Sequence, residues 1–317
     1  MSSAHLVDPE LVEGLSLLPS LDFALISITD IRNGLESMRG LAPVVEMPEV
    51  LTETIVVPGP EGAPELSVVV HRPRAAAGAV PAILHIHGGG YVIGEAAVSD
   101  MANRMIVREL GCAVYSVNYR LAPETAHPGP VEDCYAALKY VAENAAALGV
   151  DASRIGVMGE SAGGGLAAAL ALLARDRGGP ALAFQHLIYP MLDDRTGTTS
   201  DPHPHTGEFV WSAANNRFGW GALLGQAPGG PGISPYAAPA RAEDLAELPP
   251  TYIAVGALDL FFEEDIEYAR RLTRAGVPVE LHVYPGAYHG FQLAGNARVT
   301  QAANRDSLEA LRRAMHG

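Results

Sequence analysis

The chain is 317 residues long, 48% hydrophobic and 18% charged, with 36 acidic against 21 basic residues and a formal net charge of −15. This excludes a disordered chain, which needs low hydrophobicity and high charge, and leaves ample length for a buried core. The acidic excess argues against nucleic acid and anionic membrane surfaces as partners and predicts a small neutral substrate.

Residues 8–38 read as helix. Asp8 suits an N-cap, Pro9 the first helical position and Glu10 the positive end of the dipole. Pro19 divides the segment, and Leu21, Leu25 and Ile28 recur at helical spacing. No basic region precedes an apolar core here, and no apolar run approaches about 18 residues. Neither a signal peptide nor a membrane span is predicted, and a cytoplasmic location is expected. From residue 50 strands follow at 52–57 and 66–72, then a compact apolar run at 80–87 of the kind a buried parallel strand shows. Strand and helix then alternate: strands at 113–119, 154–159, 181–189, 251–256 and 278–284, helices at 131–148, 161–177, 263–275 and 297–315. Alternation of this kind predicts an α/β fold, a parallel sheet with helices on both faces. Residues 190–248 interrupt it with a stretch rich in Pro, Gly and Asp that holds both tryptophans, Trp211 and Trp220, and reads as a lid. The two cysteines, Cys112 and Cys134, lack metal-ligand spacing and are expected to be buried free thiols.

The sharpest motif is Gly159-Glu160-Ser161-Ala162-Gly163, with an apolar strand before it and a small-residue helix after it. A strand turning abruptly into a helix strains the central serine and lifts its hydroxyl above the sheet. The second is His87-Gly88-Gly89-Gly90-Tyr91, directly after the strand at 80–87. Acyl transfer needs fixed donors for a developing oxyanion, and backbone amides of Gly88, Gly89 and Ala162 would supply them. His87 is expected to brace that loop. A phosphate-loop reading fails because the lysine and the Ser/Thr at the required spacing are missing.

Of eleven histidines, His289 sits in the loop after the strand at 278–284, at the carboxyl end where sites in such sheets gather. His282 lies within that strand; His203 and His205 flank Pro204 in the insertion and are expected to face solvent. Asp259, just past the strand at 251–256, is placed to fix the His289 tautomer. Glu263 and Asp265 read as helix-start charges. The chain order Ser161, Asp259, His289 is that of α/β-hydrolases.

With these residues in view the chain resembles the bacterial hormone-sensitive-lipase-like esterases, a family of α/β-hydrolases. The resemblance rests on 87–91, 159–163, Asp259, His289-Gly290-Phe291 and Asn118-Tyr119-Arg120-Leu121-Ala122-Pro123-Glu124, and spans about residues 50–315. Glu160 departs from it: a large branch of the family has Asp there, one methylene shorter. The resemblance implies an eight-stranded, mostly parallel sheet. It implies a helical cap from residues 1–48 and 190–235, a catalytic domain from 49–189 and 236–317, and ester hydrolysis with no cofactor; no metal is expected from the residues either. Residues 118–124 are expected to be scaffold. His85/His87 and Asp193/Asp194 are the nearest approach to metal-ligand sets. Tyr91, Phe209, Trp211 and Leu260 are candidate pocket walls, with cap core as the other reading. The resemblance implies acyl chains of about four to eight carbons, and the bulky Phe23, Met38, Phe209, Trp211, Phe218 and Trp220 agree with it, since side chains that large predict a bounded pocket rather than a roomy tunnel. The resemblance also puts 278–284 at the sheet edge, where Val279, Leu281 and Val283 form an apolar row with few charges to blunt it; such an edge is either paired, which predicts a homodimer, or covered by the final helix.

The motifs do not separate an ester from an activated amide, so an amidase or arylformamidase stays open. A lipase would need a basic amphipathic face that the sequence lacks. A non-catalytic ligand-binding relative would have no use for all three triad residues.

Overall fold

Strands β1 (Val50–Val57), β2 (Leu66–Pro73), β3 (Val80–Ile86), β4 (Ala113–Val117), β5 (Val150–Glu160), β6 (Gln185–Ile188), β7 (Thr251–Gly256) and β8 (Val279–Tyr284) form one sheet in a computed structural model that describes residues 2–17, 23, 25–38 and 45–317. The order is β1-β2-β4-β3-β5-β6-β7-β8. The β1/β2 and β2/β4 pairs are antiparallel and the remaining pairs parallel. This is the eight-stranded, mostly parallel sheet that the resemblance implied. β3, β4 and β7 are buried at nearly every position, as expected of strands covered on both faces.

The helices are α1 (Val12–Leu17), α2 (Ile28–Met38), α3 (Asp100–Leu110), α4 (Gly129–Glu143), α5 (Ala145–Leu148), α6 (Ala162–Asp176), α7 (Ala213–Leu224), α8 (Phe262–Arg274) and α9 (Arg298–His316). α6 is buried from Ala162 to Ala174; its run of Gly and Ala lets the helix lie close on the sheet. The expected helix 131–148 breaks at Asn144, whose side-chain amide donates to the Tyr140 carbonyl at 2.8 Å and so competes with the helical ladder.

The N-terminal reading needs correction. Asp8 does not cap a helix. Its carboxylate accepts from the Glu10 amide (2.8 Å) and its carbonyl from the Leu11 amide (2.8 Å), closing a turn, and α1 begins only at Val12. Leu25 is 83% exposed and precedes α2, so Ile31 rather than Leu25 turns inward. Ser27 caps α2, accepting from the Asp30 amide at 3.1 Å. Pro19 and Leu21 lie outside the described residues, as does the Met38 side chain. Phe23 stacks on Phe218 (5.0 Å) and meets the edge of Trp211 (5.9 Å), so the N-terminal segment packs on the 190–248 insertion. Trp220 of the insertion is fully buried against Tyr91. Cys112 and Cys134 are buried free thiols; burial pushes Cys112 up to about 12.

Register sets what leaves the sheet where. Ile86 of β3 pairs with Gly159 of β5, and Gly256 of β7 with Tyr284 of β8. The loops carrying 87–91, 159–163, Asp259 and His289 therefore emerge from one edge, at the carboxyl ends of the parallel strands.

Candidate active site

Ser161 joins β5 to α6 with φ +57° and ψ −121°, a conformation that L side chains adopt only under strain. Glycines make the turn sterically feasible. A Cβ at Gly159 would lie 2.2 Å from the Gly163 carbonyl oxygen, and one at Gly163 would lie 2.0 Å from the Ile86 carbonyl oxygen. The hydroxyl thus stands at the amino end of α6, where the helix dipole favours developing negative charge.

The glycine loop packs directly on this elbow. A Cβ on Gly88 would be 2.9 Å from the Glu160 carbonyl oxygen and 3.4 Å from the Ser161 Cβ. His87 braces the loop: its Nδ1–H donates to the Gly88 carbonyl (2.8 Å) and its ring stacks on Tyr119 at 4.3 Å. Burial holds His87 down at about 4, so it stays neutral. The 118–124 segment is scaffold: the Tyr119 hydroxyl donates to the His87 carbonyl (3.0 Å), and Arg120 pairs with the buried Asp133.

His289 completes the line. The Ser161 hydroxyl donates to Nε2 at 3.0 Å, and Nδ1–H donates to Asp259 Oδ2 at 2.8 Å. Asp259 is fully buried, and its other oxygen accepts from the Phe261 amide at 3.0 Å. The loops carrying the two residues are joined by backbone bonds from Ala257 to Tyr284 and from Leu258 to Ala287. Tyr189 (4.6 Å) and Phe261 (5.2 Å) enclose the imidazole. A serine, a base with one nitrogen free to accept, and a carboxylate fixing that tautomer can together activate the hydroxyl as a nucleophile.

Three of the four expected walls lie around this line. Trp211 sits 6.3 Å from the His289 ring and closes over Gly90, Phe209 packs on Tyr288 at 6.2 Å, and half-buried Leu260 follows Asp259. Tyr91 is a correction. Its positive φ of 68° turns it beneath the loop, where it has no accessible surface and its hydroxyl donates to the Met191 carbonyl at 3.0 Å. It is a support rather than a wall. His203 and His205 are likewise not free in solvent: both are half-buried, with His203 against Phe262 and His205 near the Ser3 hydroxyl.

The two pairs that came nearest to metal-ligand sets in the sequence each have other partners. His85 bonds to Ser116 and Glu160 while His87 bonds to Gly88. Asp193 pairs with Arg195, and buried Asp194 with Arg241. A cavity bounded by Asp193, Arg195, Arg241, Glu264 and Arg271 lies elsewhere, with none of the three aligned residues in its wall.

Two acids escaped sequence reading. Glu264 is buried and accepts from the Leu192 and Asp193 amides, fastening the start of the insertion to α8. Asp265 does lie in the first turn of α8 but is more than a helix-start charge: it is fully buried, neither oxygen has a hydrogen-bond partner among the described residues, and burial pushes its pKa well up. Helical periodicity in the acid-rich stretch 263–267 was the only available hint of both.

A family model of the alpha/beta hydrolase fold matches residues 83–293. Esterase LipI of Mycobacterium tuberculosis is 36% identical, over 94% of this chain and 97% of its own length. Carboxylesterase NlhH of the same organism is 35% identical, over 98% of this chain and 97% of its own length. A solved structure of a bacterial heroin esterase is 43% identical, covers 100% of both chains and superposes with a TM-score of 0.93.

Proposed function

The chain belongs to the α/β-hydrolase family, and from that premise we propose a serine carboxylesterase in which Ser161, His289 and Asp259 carry the chemistry. It is a carboxylic-ester hydrolase, as its relatives named esterase and carboxylesterase are. The observation that carries the assignment of roles is the unbroken line from Ser161 Oγ through His289 to Asp259, at 3.0 Å and 2.8 Å.

His289 Nε2 takes the hydroxyl proton as Ser161 Oγ bonds to the ester carbonyl carbon. The Gly88, Gly89 and Ala162 amides receive the oxyanion. As the tetrahedral intermediate collapses, the C–O bond to the alcohol breaks and His289 returns the proton to the leaving oxygen. Water, deprotonated by the same nitrogen, then attacks the acyl-enzyme, and the acid leaves with Ser161 reprotonated. Asp259 holds the imidazole in the accepting tautomer and stabilises the imidazolium.

Residues 1–48 and 190–235 form the cap in this reading, and Phe23, Trp211 and Phe218 close the pocket over short- to medium-chain acyl groups. β8 is the pairing edge of a homodimer: among the described residues it is the last strand of the sheet, beside β7, and Leu281 and Val283 stand 38% and 41% exposed along it. Among the described residues no helix is long and apolar enough to cross a membrane.

Ser161→Ala tests the reading on p-nitrophenyl butyrate. The variant is expected to fold as the parent and to lose turnover; substantial hydrolysis by it refutes the nucleophile.

A further inference from the structure

Beneath the elbow lies a second set of hydrogen-bonded side chains that the reaction does not use. Glu160, immediately before Ser161, accepts from His85 Nε2 at 3.0 Å on one carboxylate oxygen and 3.2 Å on the other. A carboxylate only accepts, so Nε2 carries the proton. Nδ1 is then the acceptor, and the Ser116 hydroxyl donates to it at 2.6 Å, with the Asn103 amide nitrogen 3.3 Å away. His85 and Ser116 have no accessible surface, while Glu160 is partly exposed.

The set copies the residue types of a catalytic triad without its chemistry. Its serine is sealed inside the sheet, and that hydroxyl donates to the nitrogen opposite the one facing the acid. What the set does join is strand to strand. His85 is the penultimate residue of β3, which feeds the glycine loop; Glu160 is the last of β5, which feeds the nucleophile; Ser116 on β4 holds the imidazole from the other side. Backbone pairing between β3 and β5 ends at Ile86 and Gly159. The Glu160–His85 bond therefore extends the tie beyond the ladder, to the level where Gly88 lies against the Glu160 carbonyl.

We propose that Glu160 and His85 are positioning residues, a side-chain tie that sets the distance between the Ser161 hydroxyl and the Gly88 and Gly89 amides. Glu rather than Asp at 160 fits this role, because the extra methylene supplies reach toward His85. The tie bears on a geometry needed in the transition state, not on substrate affinity, so its loss falls on kcat.

The test uses p-nitrophenyl butyrate, with folding checked by circular dichroism and thermal unfolding. Glu160→Ala is expected to lower kcat by about 10- to 100-fold, the range for small misplacements of reacting groups, with KM held. Glu160→Gln, whose amide oxygen accepts from the same Nε2–H, recovers most of that loss. His85→Phe, which keeps the ring and removes the donor, repeats the Glu160→Ala effect and serves alone if Glu160→Ala does not fold. The double variant is no slower than the slower single. Parental kcat in either single variant, Glu160→Gln as slow as Glu160→Ala, or multiplicative losses in the double variant each overturn the tie. The inference rests on Ser161 as nucleophile, and Ser161→Ala is measured alongside. Turnover by Ser161→Ala refutes the nucleophile itself; parental kcat in Glu160→Ala beside an inactive Ser161→Ala refutes the tie alone.

Discussion

Asp259→Asn changes one atom and removes one charge, and the structure says what each is worth. Both carboxylate oxygens are committed, Oδ2 to His289 Nδ1–H and Oδ1 to the Phe261 amide. Asparagine has a single oxygen. If it faces His289, its NH2 group opposes the Phe261 N–H, leaving buried donors unpaired at about 1–3 kcal/mol. If it faces Phe261, the NH2 group donates to Nδ1, Nε2 carries the proton, and His289 cannot accept from Ser161. In either orientation the imidazolium formed during attack loses its counter-charge, about 4 kcal/mol for charges about 4 Å apart at an effective dielectric of about 20. The losses together come to about 5–7 kcal/mol, or roughly 10⁴- to 10⁵-fold in kcat at about 1.36 kcal/mol per decade; an equivalent change in another serine hydrolase costs about 10⁴. Steady-state turnover of p-nitrophenyl butyrate, with an active-site titration to count competent serines, measures it. Asp265→Asn is the control, since Asp265 is equally buried but bonds to nothing in the line. A fall of less than tenfold for Asp259→Asn, or a larger fall for Asp265→Asn, refutes Asp259 as the orienting acid.

Asp265→Asn also has a stability signature. The folded-state pKa is raised by burial, so the folded protein holds a proton that the unfolded chain releases, and stability falls as pH rises above the unfolded value near 4. Urea unfolding should show the variant gaining on the parent at pH 8 and little at pH 5; an equal difference at both contradicts this. The buried histidines act in the opposite sense. His186 and His87 are lowered by burial to about 3 and about 4, so their contribution is full above the unfolded value near 6.5 and is lost as pH falls toward those values. The slope reaches about 1.4 kcal/mol per pH unit for each, and His186→Gln should flatten the fall between pH 7 and 5. An unchanged slope in that variant refutes the assignment. On p-nitrophenyl esters, kcat/KM should rise by about fourfold per methylene while each is buried, then break by about eight carbons; a rise continuing to sixteen carbons would show that the cap opens onto lipid. Light scattering should report a dimer that Leu281→Arg converts to monomer, whereas a monomeric parent at micromolar concentration rejects pairing through β8.

The parts whose chemistry is contiguous were legible in the amino-acid order alone. The elbow was legible because its strain demands glycine at Gly159 and Gly163 around Ser161, and strand and helix on either side each carry their own period. The glycine loop was legible for the same reason, and Asp259 and His289 because each directly follows a strand of a fold whose sites gather at that end. Element boundaries moved where a side chain competed with the backbone, as at Asp8 and Asn144. What depends on meetings between distant residues came only with the packed fold. Glu160 and His85 lie 75 positions apart, and Glu264 and Leu192 lie 72 apart; no period or spacing within either segment encodes the other. Burial had the same character. Glu263 and Asp265 read alike as helix-start charges until α8 packs against the sheet and seals Asp265, and Tyr91 reads as a wall until the turn at Gly90 directs it under the loop. Local steric demand is written in neighbouring residues; the free energy of a buried pair is written only where two strands or a strand and a helix come together.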